Sequence, residues 1–159
     1  MAKNSVTVRV PAKVNLQLSV GPREADGYHN LVTVFQAISI FDDVTVTKSN
    51  PGSGVTISVT GEHTHGVPED HSNLAVKAAQ MIGKKFDFEV DVHIEIKKSI
   101  PVAGGMAGGS ADAAGTLVAM DALFQLDMSR EELHAMGSEL GSRSEERRVG
   151  KECLRLCRS

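Results

Sequence analysis

Apolar and polar residues alternate along Val6–Val10 and again along Val14–Val20, the two-residue period of a half-buried β-strand. Leu31–Thr47 is rich in β-branched and aromatic residues and predicts one long strand or two short ones. Asn50-Pro51-Gly52-Ser53-Gly54 is a turn, and Val55–Thr60 a further strand. A polar loop over Gly61–His71 follows. Asp70 or Ser72 is expected to cap a helix running to about Lys85, with Leu74, Ala75, Ala78, Met81 and Ile82 on one stripe. The period returns to two in Val90–Lys98, where Val90, Val92, Ile94 and Ile96 share a side. A helix is predicted over Asp112–Phe124 and a shorter one from Ser129 to about Ser142. Ser129-Arg130-Glu131-Glu132 has the form of a capping box. Strands first, then helices interleaved with one more strand, predict an α+β domain.

Between the last predicted strand and the helix after it lies Ile100-Pro101-Val102-Ala103-Gly104-Gly105-Met106-Ala107-Gly108-Gly109-Ser110-Ala111. Glycines without a side chain let a backbone approach a ligand closely. The free N–H groups and dipole of the following helix favour an anion, and a nucleotide phosphate is the simplest candidate. There is no Gly-Lys-Ser or Gly-Lys-Thr, as a Walker A loop requires, and no G-x-G-x-x-G opening a first βαβ unit. Ser110 could donate its hydroxyl to a phosphate or reach Mg²⁺, or simply cap the helix. Met106 reads as packing.

Composition narrows the class further. With 41% hydrophobic and 23% charged residues and a mean hydropathy of −0.11, the chain is ordinary for a globular protein of one domain. No apolar run approaches the ~20 residues of a membrane span, and no signal-peptide core opens the sequence, so a cytoplasmic protein is expected. Residues 1–142 hold eleven Lys/Arg against seventeen Asp/Glu. That acidic balance argues against a nucleic-acid partner, which would need a basic face. His63, His65 and His71 near Glu69 and Asp70 fit no standard metal spacing and read as a solvated loop.

Three segments in order carry a resemblance: Pro11-Ala12-Lys13-Val14-Asn15-Leu16-Gln17-Leu18, then Asp26-Gly27-Tyr28-His29, then the glycine segment ending in Ser110-Ala111-Asp112-Ala113-Ala114. Together they closely resemble the GHMP kinase superfamily over about residues 5 to 142. The resemblance implies an N-terminal GHMP domain related to the ribosomal-protein S5 domain 2 fold, with a left-handed β-α-β arrangement, ATP and Mg²⁺ as cofactors, and phosphoryl transfer to the hydroxyl of a small molecule. Lys13 becomes the catalytic lysine. Pro101 through Ala111 would cradle the ATP phosphates, and Asn73 would lie near the adenine. Asn15, on the same strand face as Lys13, would bind the accepting substrate. Asp26-Gly27-Tyr28-His29 is similar to members whose substrate is a cytidine-diphosphate-linked polyol: Tyr28 would stack on the cytosine and His29 bond its edge, while Asp26 and Gly27 shape the turn. Homoserine and mevalonate kinases share the glycine loop and lack that segment.

The resemblance stops at Ser142. Residues 143–159 carry six Lys/Arg, three Glu and both cysteines, Cys153 and Cys157. From Arg143 the string reads as translated sequencing-adapter DNA, a non-native tail with no function. The family's general base, an Asp, is expected directly after Ser142, where Arg143 stands, and the family's C-terminal domain has no counterpart in these residues. Loss of a general base typically costs ~10²–10⁴ in rate, so residues 1–159 are expected to turn over negligibly or to act as a nucleotide-binding fragment. Nothing in the sequence sets the oligomeric state.

Overall fold

The computed structural model describes residues 4–23 and 29–142. The tail from Arg143 and the segment containing Asp26, Gly27 and Tyr28 lie outside the described residues. Four strands form one sheet in the order β1-β2-β4-β3, and three helices complete the domain. The strands are β1 (Ser5–Arg23), β2 (His29–Lys48), β3 (Val55–Gly61) and β4 (Val92–Lys98). The helices are α1 (Leu74–Phe86), α2 (Gly108–Phe124) and α3 (Arg130–Ser142).

The two expected N-terminal strands are one. Pro11 does not end the first, because β1 is an edge strand and a slip of register between Pro11 and Ala12 absorbs the proline. β1 and β2 form a long antiparallel hairpin. Only the last six residues of β2, Asp43 to Lys48, pair with β4, so in the rest of the hairpin β1 and β2 pair with each other alone. Leu16, Leu18, Val32 and Val34 stay exposed there. β3 and β4 run parallel, joined through α1. Val90, expected inside the strand, precedes it and packs against the core.

One sheet face is apolar and covered. Val10, Val44, Val46, Val92, Ile94 and Ile96 meet Ala75, Ala79, Ile82, Leu117 and Met120 from α1 and α2. The other face is a polar ladder with Ser5 bonded to Thr47, Thr7 to Thr45 and Arg9 to Asp43. Glycine sets how closely α2 approaches: a Cβ on Gly115 would stand 2.8 Å from Val10 Cγ1.

The helix ends show which sequence signals held. Asn73 caps α1, accepting the Ala75 N–H (2.9 Å) and donating to the Pro68 carbonyl (2.7 Å). The expected caps Asp70 and Ser72 instead close the preceding turn, with the Ser72 N–H bonded to Asp70. The capping box of α3 is formed. The Glu132 N–H donates to Ser129 Oγ, and the Ser129 N–H donates to Glu132 Oε2. Lys85 and the Ser129 donors hold the Glu132 carboxyl at about 2.

Candidate nucleotide and substrate site

β4 delivers the chain to the glycine segment, and α2 takes it away. α2 begins at Gly108, earlier than Asp112, and its N-cap is Ala107 in the left-handed region (φ +65°) with no side-chain cap. Ser110 is therefore not a cap. It is the third residue of the helix, and its buried Oγ has no hydrogen-bond partner among the described residues. The Ala111 N–H bonds the Ala107 carbonyl, so Gly108, Gly109 and Ser110 present the helix's unspent donors. Ala111 turns into the core and serves the helix rather than the cavity.

Gly108 and Gly109 border a cavity of about 610 Å³, whereas Ser110, expected in the same cradle, is buried and is not among its lining residues. Pro101 through Gly109 form one wall, and Pro68, Asn73 and Leu74 another, with Lys98 and Asp112 at the floor. Asn73 thus has two duties, as cap of α1 and as cavity lining. Three residues of the segment, Ala103, Gly105 and Ala107, have positive φ, which folds it into a tight cradle.

The floor holds what the sequence reading missed. Lys98 Nζ lies 2.5 Å from Asp42 Oδ2 and 2.8 Å from Asp112 Oδ2, and all three side chains are almost fully buried. Asp42 also accepts the N–H groups of Ser99 (2.7 Å) and Ile100 (2.9 Å). One carboxylate from β2 therefore anchors the start of the cradle, and one ammonium ties it to Asp112 of α2. The signal was present: Lys98 is in phase with Val92, Ile94 and Ile96, and Asp42 with Val44 and Val46, so alternation sends both inward.

Two carboxylates share one ammonium here. Among the described residues Asp42 has three donors, whereas Asp112 has Lys98 alone and an Oδ1 without a partner. Burial pushes the Asp112 carboxyl up to about 7 against the pull of Lys98. Desolvation works against the charge on Lys98, but Asp112 and Asp42 outweigh it and hold the ammonium above its usual value.

Lys13 and Asn15 lie across Met106 from this cavity. The Lys13 N–H donates to the Met106 carbonyl (3.3 Å), which joins β1 to the cradle. Lys13 is buried, at 2% exposure, with Nζ 2.6 Å from Asn15 Oδ1 and 5.3 Å from the centre of the Phe35 ring. The shared strand face expected for Lys13 and Asn15 is therefore observed. Tyr28 lies outside the described residues, and His29 opens β2 opposite Arg23. Among the described residues no three His, Cys, Asp or Glu side chains come together as a metal site, and no helix is long and apolar enough to cross a membrane.

A mixed sheet with an anion-ready helix N-terminus and a lysine bonded to the cradle defines the class. Residues 73–150 match the family model "GHMP kinases N terminal domain", and the chain has the fold of that domain. A homoserine kinase from Cytophaga hutchinsonii superposes with a TM-score of 0.68 over 89% of this chain and 42% of its own, at 19% identity, which speaks to the fold alone. The particular kinase this chain resembles is 4-diphosphocytidyl-2-C-methyl-D-erythritol kinase. The Thermobifida fusca protein of that name is 54% identical over 147 residues, covering 89% of this chain and 48% of the relative. The Mycolicibacterium smegmatis protein is 53% identical over 138 residues, 87% and 42% of the two chains. A crystal structure of 4-(cytidine 5'-diphospho)-2C-methyl-D-erythritol kinase matches at 32% identity and a TM-score of 0.63, over 85% of this chain and 47% of that one. The chain spans under half the length of these relatives.

Proposed function

We propose that this domain holds ATP and the accepting alcohol for phosphorylation of the 2-hydroxyl of 4-diphosphocytidyl-2-C-methyl-D-erythritol, a step of non-mevalonate isoprenoid synthesis in the cytoplasm. The observation that carries the reading is a cavity large enough for a nucleotide, lined by Gly108 and Gly109 at the start of α2, with the Ser110 hydroxyl directly after them buried and without a partner among the described residues.

Such a transfer is mostly positioning and charge stabilisation. The cradle would hold the phosphates through its main-chain N–H groups. Lys13 would stabilise the negative charge that develops and favour ionisation of the alcohol. Asn15 would bond the polyol, Tyr28 would stack on the cytosine, and His29 would bond its edge. Asp112, which lines the cavity, and Ser110, two residues before it in α2, would be the residues to hold Mg²⁺: each has a hard oxygen without a partner among the described residues, and the ion would neutralise phosphate charge. Residues 1–142 constitute this domain in our reading and 143–159 a non-native tail, so binding rather than turnover is the property to measure.

Calorimetric titration with ATP and Mg²⁺ should show one nucleotide site on the 159-residue chain. Ser110→Ala should weaken it roughly tenfold while leaving the thermal unfolding of the free chain unchanged or slightly improved, because the hydroxyl makes no bond before the nucleotide arrives. Equal affinity in Ser110→Ala would remove the hydroxyl from the site. In parallel titrations, 4-diphosphocytidyl-2-C-methyl-D-erythritol should bind, and homoserine and mevalonate should not.

A further inference from the structure

Asn15 is held at both ends before any substrate arrives. Its Oδ1 takes the Lys13 ammonium at 2.6 Å, and its Nδ2 donates to Thr33 Oγ1 at 2.8 Å. The Thr33 hydroxyl in turn donates to the Gln17 carbonyl at 2.7 Å. The polarity of this chain has one solution. A carbonyl only accepts, so the single proton of Thr33 goes to Gln17, and Thr33 can only accept from Asn15. An ammonium only donates, so the Asn15 atom facing Lys13 is its oxygen. Two independent contacts thus fix the same orientation of an amide that would otherwise be free to turn over.

The backbone is arranged for this. In β1, Asn15 pairs with Phe35 and Gln17 with Val34, so Leu16 is an extra residue in a bulge. The bulge places the Gln17 carbonyl within reach of a Thr33 side chain that shares the Lys13 and Asn15 face, re-aiming the strand beside a site. Phe35, two residues along the same face of β2, lies under the ammonium. Thr33 is half-buried and touches neither the cavity nor the cradle.

We propose that Thr33 is a positioning residue: it locks the Asn15 carboxamide with its oxygen toward Lys13, and so sets where the ammonium and the remaining amide donor meet the accepting alcohol. The proposal deepens the reading of Lys13 and Asn15 as the alcohol-side pair and rests on it. Among the described residues one Nδ2 proton and one Oδ1 lone pair of Asn15 have no partner, and they are left for the polyol in directions that Thr33 dictates. Without the hydroxyl the carboxamide can turn, and its NH₂ group can face the ammonium, which ejects Lys13 from its place.

Thr33→Val keeps the shape and β-branching of the side chain and removes only the hydroxyl, while Thr33→Ser restores it. The first measurement is the side-chain NH₂ signal of Asn15 in the ¹⁵N-labelled 159-residue chain, assigned with an Asn15→Asp variant. Thr33→Val should shift that signal and speed its exchange with water, and Thr33→Ser should return both to the wild-type values. The second is calorimetric titration with 4-diphosphocytidyl-2-C-methyl-D-erythritol. Thr33→Val should weaken binding about tenfold, the worth of one hydrogen bond of about 1.4 kcal/mol. Thr33→Ser should stay within about twofold of wild type, and Thr45→Val, which removes a hydroxyl from the polar ladder, should not change it. An Asn15 signal unmoved in Thr33→Val overturns the lock, and a moved signal with unchanged binding overturns its role. A wild-type chain that does not bind the substrate overturns the alcohol-site reading and this role with it, while the Asn15 signal still reports separately whether Thr33 holds the amide.

Discussion

Lys98→Met is expected to cost about 3–5 kcal/mol, the penalty for removing one partner of a buried ion pair and leaving the other charge uncompensated. Here two carboxylates are left, those of Asp42 and Asp112, both almost fully buried. Against a total stability of about 5–15 kcal/mol for a domain, the loss is large enough to unfold much of the population at 37 °C. It also carries a pH signature. Asp112 has its folded value raised to about 7 from an ordinary 3.8, so the folded chain binds the proton more tightly than the unfolded chain. Stability from this group is therefore fullest below about pH 4 and falls as pH rises toward 7. Removing Lys98 takes away the only cation opposing that shift among the described contacts of Asp112, so the deficit of Lys98→Met should be smaller at pH 5 than at pH 8. Urea unfolding of both chains at the two pH values measures it. A deficit below about 1 kcal/mol at pH 8, or one that does not change with pH, would refute the charge argument. Asp112→Asn, which keeps the shape and removes the titration, should flatten the pH dependence of the otherwise wild-type chain.

Gly61→Ala is the second large effect, about 3 kcal/mol or more. Two causes combine. Gly61 has φ +105°, where an L side chain is strained. An added Cβ would also run into the main-chain carbonyl and nitrogen of Lys98, the residue that Gly61 pairs with on β4. Backbone cannot swing aside as a side-chain tip can, and Lys98 is pinned by Asp42 and Asp112, so the collision is not relieved locally. Gly52 separates the causes. It has φ +82° but open space around it, so Gly52→Ala should show the dihedral cost alone, about 1 kcal/mol. Gly61→Asn tests the same point, since asparagine tolerates positive φ but still carries a Cβ. It should be nearly as damaging as alanine. Thermal unfolding of the three variants gives the comparison, and equal losses at Gly52 and Gly61 would exclude the collision.

Much of the site was legible along the chain because its signals are local. The glycine segment, the strand before it and the helix after it are neighbours in sequence, and Ser129 and Glu132 close a capping box within one turn. Lys13 and Asn15 meet because residues two apart on a strand share a face. Local signals failed where a tertiary contact outbid them. Asn73 took the cap expected of Asp70 or Ser72 because its amide can also donate to the Pro68 carbonyl. Ser110 has the residue type of a cap, yet α2 starts two residues earlier because Ala107 turns left-handed and frees Gly108 and Gly109 to begin the helix.

The sequence by itself determined the α+β class, most element positions, the glycine segment between strand and helix, and the lysine–asparagine pair, since each follows from periodicity or spacing within a few residues or from motif resemblance. It did not determine partners separated by long stretches of chain. Asp42 and Lys98 lie 56 residues apart, and Asn15 and Thr33 eighteen. Alternation could turn each of these side chains to a face, but the registers of β1 on β2 and of β2 on β4 decided which of them would meet. Those registers are set by the bulges at Pro11 and Leu16 and by the apolar face that β2 and β4 bury against α1 and α2, properties of the assembled sheet rather than of any one strand.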